Sequence, residues 1–174
     1  DLNYICDGCL TTLCMGLERF KTLTNLSLAF NACIKISKDG IESLYIALKY
    51  LNKLTALTLD FSGCFQLLDF ETIMIAYGLR YVPKLERLSF ILENCYRITN
   101  EGLDSIAYNL QEVLGLSSLN LVLTNCNMLG DTGVLYLACA FEILPDLRCL
   151  SLNFSGTHCM TDNGLKNLCS GLKH

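Results

Sequence analysis

The chain has 174 residues, of which 52% are hydrophobic and 17% charged, and its formal net charge is −4. This length fits one domain, and the apolar content favours a large core and argues against disorder. The negative charge offers no attraction to nucleic acid or to an anionic membrane, and no run of about 18 apolar residues predicts a membrane-spanning helix. We therefore expect neither nucleic-acid binding nor membrane insertion.

A period of 31 residues runs through the whole chain. It is marked by four cysteines, each preceded by leucines on the same period: Cys33, Cys64, Cys95 and Cys126. Alternating apolar residues after these leucines predict short strands near residues 26–30, 57–61, 88–92, 119–123 and 150–154. A fixed period of this length is typical of a stacked solenoid, in which no single unit buries its apolar face alone.

A helix is predicted after each strand. After Gly40, for example, Ile41, Leu44 and Leu48 follow at steps of three and four, which places them on one helical face. Hydroxyl residues that suit a helix N-cap stand three residues before a glycine in three copies: Ser37, Thr99 and Thr161. Because parallel strands need crossover connections, this alternation predicts a curved stack with one parallel sheet inside and the helices outside.

The two ends of the chain do not resemble the polar caps that solenoids need for solubility. Residues 1–22 supply only the second half of a repeat, and the chain ends inside the helix of the fifth copy. We expect the terminal leucines to lack a neighbouring repeat: Leu10, Leu13 and Leu17 at one end and Leu165, Leu168 and Leu172 at the other. The chain is therefore expected to be a segment of a longer solenoid, or to have an end covered by a partner.

Eleven cysteines are present, an odd number placed largely at repeat positions, which makes a poor disulfide framework. Free cysteine packs as a small hydrophobic residue. We therefore predict that the four periodic cysteines are reduced, buried and aligned in a row, and that the protein occupies a reducing, cytoplasmic compartment. The alternative is a secreted repeat protein with capping disulfides, for which Cys6, Cys9 and Cys14 leave room at the N-terminus.

The full unit is LxxLxLx(L/F)xxCxx(I/L)xxxG followed by LxxLxxAL, and it resembles leucine-rich repeat proteins over essentially the whole chain. The segments IKISKDGI, YRITNEGL and HCMTDNGL resemble the cysteine-containing and ribonuclease-inhibitor-like subclasses. The long unit is similar to repeats of ciliates and other unicellular eukaryotes. The resemblance implies an α/β leucine-rich repeat solenoid, here a single domain over residues 1–174 with about five repeats and a partial N-terminal one.

The resemblance also implies protein binding, through the concave strand face or its flanking loops. Our leading expectation is a non-enzymatic scaffold or structural subunit in a larger hetero-complex, such as a cytoskeletal assembly. The alternatives are a substrate receptor of a ubiquitin ligase, of the F-box/leucine-rich repeat type, and a GTPase-activating protein. Leucine-rich repeats alone do not choose among these uses.

The strand positions that alternate with the core are candidates for binding. One column of them is small and polar: Ser27, Thr58, Ser89, Asn120 and Ser151. Tight interfaces usually show aromatic or arginine anchors, and on this face only Arg87 and Ile91 qualify. The candidates chosen on the strand face are Asp60, Arg87, Ile91, Glu93, Asn120 and Val122. The alternative is an ordinary solvated sheet face.

The second repeat departs from the others. Where other copies are expected to have polar turns, it has Leu68 and Phe70, and Glu71 stands in the register of the glycine. An apolar pair in an otherwise polar turn favours a contact with a partner. The alternative is that Phe70 fills space in the core.

Chemical motifs are few. Cys6 and Cys9 form a lone CxxC, but zinc needs further ligands, and the only histidines, His158 and His174, stand at the far end of the chain. A thioredoxin-like redox motif needs a strand-to-helix setting, which residues 5–9 can offer, but the stacking pattern explains most of this stretch. No catalytic or phosphate-binding signature is present, so we expect no enzyme activity, no cofactor and no metal.

Overall fold

The computed structural model describes residues 5–173, in which helices and strands alternate along the chain. The helices are α1 Asp7–Leu17, α2 Lys38–Leu48, α3 Asp69–Gly78, α4 Asn100–Leu110, α5 Asp131–Phe141 and α6 Asp162–Gly171. The strands are β1 Asn25–Ala29, β2 Ala56–Asp60, β3 Arg87–Ile91, β4 Ser118–Val122 and β5 Cys149–Asn153. A short 3₁₀ turn, Leu79–Tyr81, continues α3. None of these helices has the length and apolar character needed to cross a lipid bilayer.

The strands form one parallel sheet in chain order, β1 to β5. Each residue pairs with the residue 31 positions later, as Leu26 does with Leu57 and Leu57 with Leu88. The predicted strands are confirmed, each starting one residue earlier than the predicted segment. The fold is therefore an α/β solenoid, with the curved sheet on the concave side and the helices on the convex side.

The core lies between the sheet and the helices. Strand leucines such as Leu57 and Leu59 pack there, and helix residues such as Leu44 and Leu48 are fully buried on the opposite side. The apolar residue that follows each strand is also buried where a repeat lies on both sides, as Phe61 is. Continuous burial from one repeat to the next is what stabilises a solenoid, because each unit contacts mainly its neighbours.

The periodic cysteines are buried, as predicted. The thiol of Cys64 donates to the carbonyl of Phe30 at 3.0 Å, Cys95 to that of Phe61 at 3.3 Å, and Cys126 to that of Leu92 at 3.1 Å. Burial raises the pKa of Cys64 to about 11 and that of Cys126 to about 12. These thiols therefore stay protonated, and each gives a second donor to a loop carbonyl that already accepts from a backbone N–H.

A second row of contacts joins the starts of neighbouring helices. We call the first residues of the six helices the helix-start ladder: Asp7, Lys38, Asp69, Asn100, Asp131 and Asp162. The carboxylate of Asp69 accepts hydrogen bonds from the Thr99 N–H at 2.8 Å, the Thr99 hydroxyl at 2.7 Å and the Gly102 N–H at 3.1 Å. One residue thus caps the N-terminus of the next helix, whose first N–H groups have no partner within their own helix.

The same pattern recurs at three other joints between helices. Asp7 accepts from Ser37 and Gly40, Asn100 from Gly130 and Gly133, and Asp131 from Thr161. The predicted N-caps Ser37, Thr99 and Thr161 are confirmed in position. Their hydroxyls donate to the previous helix, while those of Thr99 and Thr161 also accept from their own helix.

These contacts explain why glycine recurs at the third position of the helix. A Cβ atom on Gly102 would lie 2.6 Å from the Asp69 carboxylate oxygen, and one on Gly133 would lie 2.7 Å from the Asn100 side-chain oxygen. A side chain at either position would push the cap away from the N–H groups it accepts from. The glycine therefore makes room for the capping residue of the preceding repeat.

The joint between α2 and α3 is built differently. The ladder residue of α2 is Lys38, which has no acceptor atom. The N–H of Leu68 instead donates to the Glu71 carboxylate of its own helix at 2.9 Å. Because no carboxylate comes from α2, the glycine is not needed, and Glu71 occupies its position in a buried setting. Three residues therefore differ together at this joint: Lys38 in place of the capping acid or amide, Leu68 in place of the N-cap hydroxyl, and Glu71 in place of the glycine.

The expected exposure of the terminal leucines is confirmed for only half of them. Leu13, Leu165 and Leu172 are exposed. The prediction was wrong for Leu10, Leu17 and Leu168, which are buried. Leu10 faces α2, near Gly40, so its neighbour is the following repeat and not a preceding one.

Candidate protein-interaction surfaces

The polar column on the concave face is a ladder in register across all five strands. Its members pair in order: Ser27 with Thr58, Thr58 with Ser89, Ser89 with Asn120 and Asn120 with Ser151. The Asn120 side chain donates to the Ser89 hydroxyl at 2.9 Å. Part of the hydrogen-bonding capacity of this face is therefore used within the sheet.

Of the two acidic candidates on this face, Asp60 has a structural role. Its carboxylate accepts from the Ser62 N–H at 2.9 Å, from the Ser62 hydroxyl at 2.6 Å and from the Asn31 side chain at 2.9 Å. These bonds shape the turn after β2, in the manner of an Asx turn. Glu93 lies just beyond β3 and is half-buried.

Arg87 and the two apolar candidates lie at opposite ends of their strands. Arg87 is exposed and lies 3.6 Å from the carboxylate of Glu86, its neighbour in sequence. An exposed ion pair of this kind contributes little stability, so Arg87 is available for other contacts. Ile91 and Val122 pair directly across β3 and β4 and are half-buried. They form a small apolar spot near the C-terminal ends of β3 and β4.

Leu68 and Phe70 lie at the start of α3, not in a turn as predicted. Leu68 is the N-cap residue and Phe70 the second residue of the helix. Both are exposed, at 37% and 48% of their surface. The alternative of a core role for Phe70 is therefore wrong, whereas its contact with a partner stays a prediction.

Phe70 belongs to a larger apolar surface on the outside of α3. Ile73 and Tyr77 follow it at steps of three and four and are exposed at 38% and 41%. Ile46 on α2 and Tyr108 on α4 hold the same register as Tyr77 and are also exposed. We call these five residues the α3 face: Ile46, Phe70, Ile73, Tyr77 and Tyr108.

Cations border the α3 face. The Lys38 ammonium lies 5.5 Å from the centre of the Phe70 ring, and the Arg80 guanidinium lies 4.6 Å from that of Tyr77 and 5.8 Å from that of Tyr108. These distances suit cation–π attraction. Arg80 also pairs with Glu112 at 3.1 Å and donates to the Asn109 side chain at 3.1 Å.

A tyrosine cluster lies next to Tyr77 of the α3 face. The Tyr45 and Tyr81 hydroxyls lie 3.3 Å apart, and the Lys49 ammonium lies 4.3 Å from the centre of the Tyr45 ring. Two hydrogen bonds lower the pKa of Tyr45, mainly the one with Tyr81 and to a lesser extent the one with Lys49. The sequence offered a signal for this cluster, because Tyr45 and Asn109 replace the small residues found at the corresponding helix positions of other repeats.

The CxxC motif lies at the start of α1. Cys6 is the residue before the helix, Cys9 is the third residue in it, and their sulfur atoms are 3.7 Å apart. Within residues 5–173 no group of three or more histidine, cysteine, aspartate or glutamate side chains is placed to hold a metal ion.

No family model matches this sequence, and no curated protein sequence matches it. Solved structures do show similarity. The C-terminal domain of tropomodulin from Caenorhabditis elegans aligns with 94% of this chain and 91% of that chain, at 18% identity and a TM-score of 0.60. A yeast structure, the complex of Rad7 and Elc1, aligns with 94% of this chain and 53% of that chain at 22% identity, but its TM-score of 0.35 is too low to indicate a shared fold.

The similarity to tropomodulin supports a leucine-rich repeat solenoid. At this level of identity it shows the fold alone. The assignment to the cysteine-containing or ribonuclease-inhibitor-like subclass, and the likeness to repeats of unicellular eukaryotes, stay predictions.

Proposed function

We propose that this protein is a non-enzymatic protein-binding module, which serves as a scaffold or structural subunit of a larger assembly. The α3 face is its principal contact surface. The observation that carries the proposal is the exposed stripe of Phe70, Ile73 and Tyr77 on one side of a helix whose other side is fully packed. Contiguous apolar surface of this kind marks interaction sites in soluble proteins.

Within the stripe, Phe70 is the residue that is specific to the second repeat. The positions that match Phe70 in the other helices hold Gly8, Asp39, Glu101, Thr132 and Asn163. No structural demand of the repeat therefore calls for a large apolar residue at this position. Exposure of an aromatic side chain is costly without a use, which favours a role in binding over a role in folding.

The dimensions of the stripe indicate what the partner presents. From Phe70 to Tyr77 the helix rises about 10 Å, which is two turns. An amphipathic helix can lay apolar side chains at matching steps of three and four against it. Lys38 at the Phe70 end favours an acidic residue beside that apolar face, whereas Arg80 at the other end is already paired with Glu112. We therefore expect a protein partner, in a hetero-complex, with an amphipathic helix that carries an acidic residue at the end facing Phe70.

The test uses the full chain with a photo-crosslinking residue at position 73, followed by identification of the linked peptide. We expect the link to fall in an amphipathic helix of the partner. Phe70→Ser should weaken binding of that partner by more than about 1 kcal/mol, as substitutions at hot spots do, and leave thermal stability nearly unchanged. Phe65→Ser is the matched control, because Phe65 is equally exposed, at 49%, but lies before Leu68 in the loop of the same repeat.

Two results would contradict parts of the proposal. If Phe70→Ser has no effect while Arg87→Ala or Val122→Ser abolishes binding, the module binds through the concave face and the α3 face is the wrong surface. The binding function itself is wrong if no crosslink from either face to a protein is weakened by substitutions on that same face. The substrate-receptor and GTPase-activator roles stay predictions, and a cytoplasmic location is part of the proposal.

A further inference from the structure

We propose that Cys6 and Cys9 form a reactive dithiol that closes reversibly to a disulfide by exchange with a low-molecular-weight disulfide such as oxidised glutathione. The two sulfur atoms are 3.7 Å apart, and Cys9 is exposed to solvent. A disulfide needs them at about 2.05 Å, so closure requires side-chain rotation and a small shift of the first helical turn. The site would be a modification site, independent of the α3 face.

The position of the two cysteines in the repeat argues against a role in packing. Cys6 holds the register of the N-cap hydroxyls of Ser37, Thr99 and Thr161, and Cys9 holds that of Gly102. At the starts of α2, α4 and α5 this space takes the capping side chain of the preceding helix, as Asp69 does at α4. A side chain at position 9 is incompatible with such a cap, so the thiols replace the regular joint.

The helix start also favours the thiolate of Cys6. The backbone N–H of Cys9, then the Cys9 thiol and the N–H of Gly8, lower the pKa of Cys6, while the nearby Asp7 carboxylate opposes this. That carboxylate is engaged by Ser37 and Gly40 of the next repeat. The pKa of Cys6 is thus shifted in the opposite direction from those of the buried periodic cysteines, since desolvation raises the pKa of Cys95 and Cys126.

The exchange conserves atoms and electrons in two steps. The Cys6 thiolate attacks one sulfur of the glutathione disulfide, a mixed disulfide forms, and the first glutathione leaves as a thiolate with the electron pair. Cys9 loses its proton to water and attacks the Cys6 sulfur, which breaks the mixed disulfide and releases the second glutathione thiolate. The protein dithiol is oxidised by two electrons, and one glutathione disulfide is reduced to two thiols.

The test is incubation of the full chain with oxidised and reduced glutathione at several ratios, trapping with an alkylating reagent, and peptide mass analysis. We expect a Cys6–Cys9 disulfide that reduced glutathione reverses, and a trapped glutathione adduct at Cys6 in Cys9→Ser. In the reduced protein Cys6 should be alkylated about fivefold or more faster than the exposed Cys139 at neutral pH.

The double variant Cys6→Ser with Cys9→Ser keeps the helix N-cap position polar and should unfold at the same temperature as the unaltered chain. The proposal is overturned if Cys6 and Cys9 stay reduced while Cys139 or Cys169 takes up glutathione. It is equally overturned if Cys6 and Cys139 are alkylated at the same rate, or if Cys9→Ser gives no adduct at Cys6.

Discussion

The joint between α3 and α4 and the joint between α2 and α3 solve the same problem in opposite ways. At the first, Asp69 reaches across from the preceding repeat and caps Thr99 and Gly102. At the second, Glu71 caps Leu68 within its own helix, and Lys38 supplies no capping bond but places its ammonium near the Phe70 ring. The first joint links the starts of neighbouring helices by polar capping bonds, whereas the second has no such bond between its helix starts.

The difference shows that one substitution in a repeat protein carries its consequences into the next repeat. Once position 38 is a lysine, the glycine at the third position of α3 loses its purpose, and a carboxylate there becomes useful. The missing cap from α2 allows Leu68 at the N-cap of α3, and the Lys38 ammonium lies near the Phe70 ring. The surface that we propose for binding therefore depends on a residue in the preceding helix.

The largest expected effect is that of Asp69→Ala. It removes three hydrogen bonds to a carboxylate and leaves the Thr99 and Gly102 N–H groups without an acceptor, which should cost about 2–4 kcal/mol of unfolding free energy. Lys38→Ala, at the same position of the irregular joint, should change stability by less than about 0.5 kcal/mol. Chemical denaturation of both variants measures the difference, and equal losses would contradict the distinction between the two joints.

Gly102→Ala should have the next largest effect. Its Cβ would meet the Asp69 carboxylate at 2.6 Å, and relief of that clash should cost about 1–3 kcal/mol. In the double variant with Asp69→Ala the glycine has less to accommodate, so the two losses should add to less than their sum. Strict additivity would show that the glycine is needed for another reason.

Conversion of the irregular joint to the regular one is expected to be nearly neutral. The triple change Lys38→Asp, Leu68→Thr and Glu71→Gly recreates the contacts of Asp69, Thr99 and Gly102, so stability should stay within about 1 kcal/mol. Lys38→Asp alone should be worse than the triple variant, because its carboxylate would meet that of Glu71. Denaturant midpoints rank the variants, and a single variant at least as stable as the triple one would refute the coupling.

The smallest effect concerns acid. Hydrogen bonds from the Thr161 hydroxyl and N–H lower the pKa of Asp131. A group whose pKa is lowered by folding stabilises the protein above its unfolded pKa, which is about 3.9, and this stabilisation is lost as the pH falls through the folded value. Asp131→Asn should therefore flatten the acid side of the stability profile, as measured by thermal unfolding across that range. An unchanged slope would contradict the assignment.

Much of the architecture could be predicted from the sequence because the period is visible in it. The strands, the buried cysteines and the polar column from Ser27 to Ser151 all follow from spacing alone. The α3 face was also within reach, since comparing Phe70 and Ile73 with their counterparts shows which repeat is unusual. Only Phe70 was predicted, because Ile73 and Tyr77 lie outside the core register of α3, and the spacing of outward residues does not tell a binding surface from a solvated one.

The pairing of polar side chains could not be predicted. The period puts Asp69, Asn100 and Asp131 in one column, but their bonds to the next repeat depend on the distance between helices, which spacing does not give. Asp60 was chosen as a binding residue, although its carboxylate shapes the turn with Ser62. The sequence shows that a residue on a sheet face is polar, but not whether its side chain binds a partner or a neighbouring group of its own chain.

The pairing of each capping residue with a glycine also governs how such a chain can gain length by duplication. A second copy of residues 100–130 would set Asn100 before another Gly102, which fits the regular joint. A second copy of residues 69–99 would set Asp69 before another Glu71, where two carboxylates compete for one helix start. We therefore expect tandem duplication to be tolerated for the repeat that begins with α4 and to be destabilising for the repeat that begins with α3, although both units have the same length.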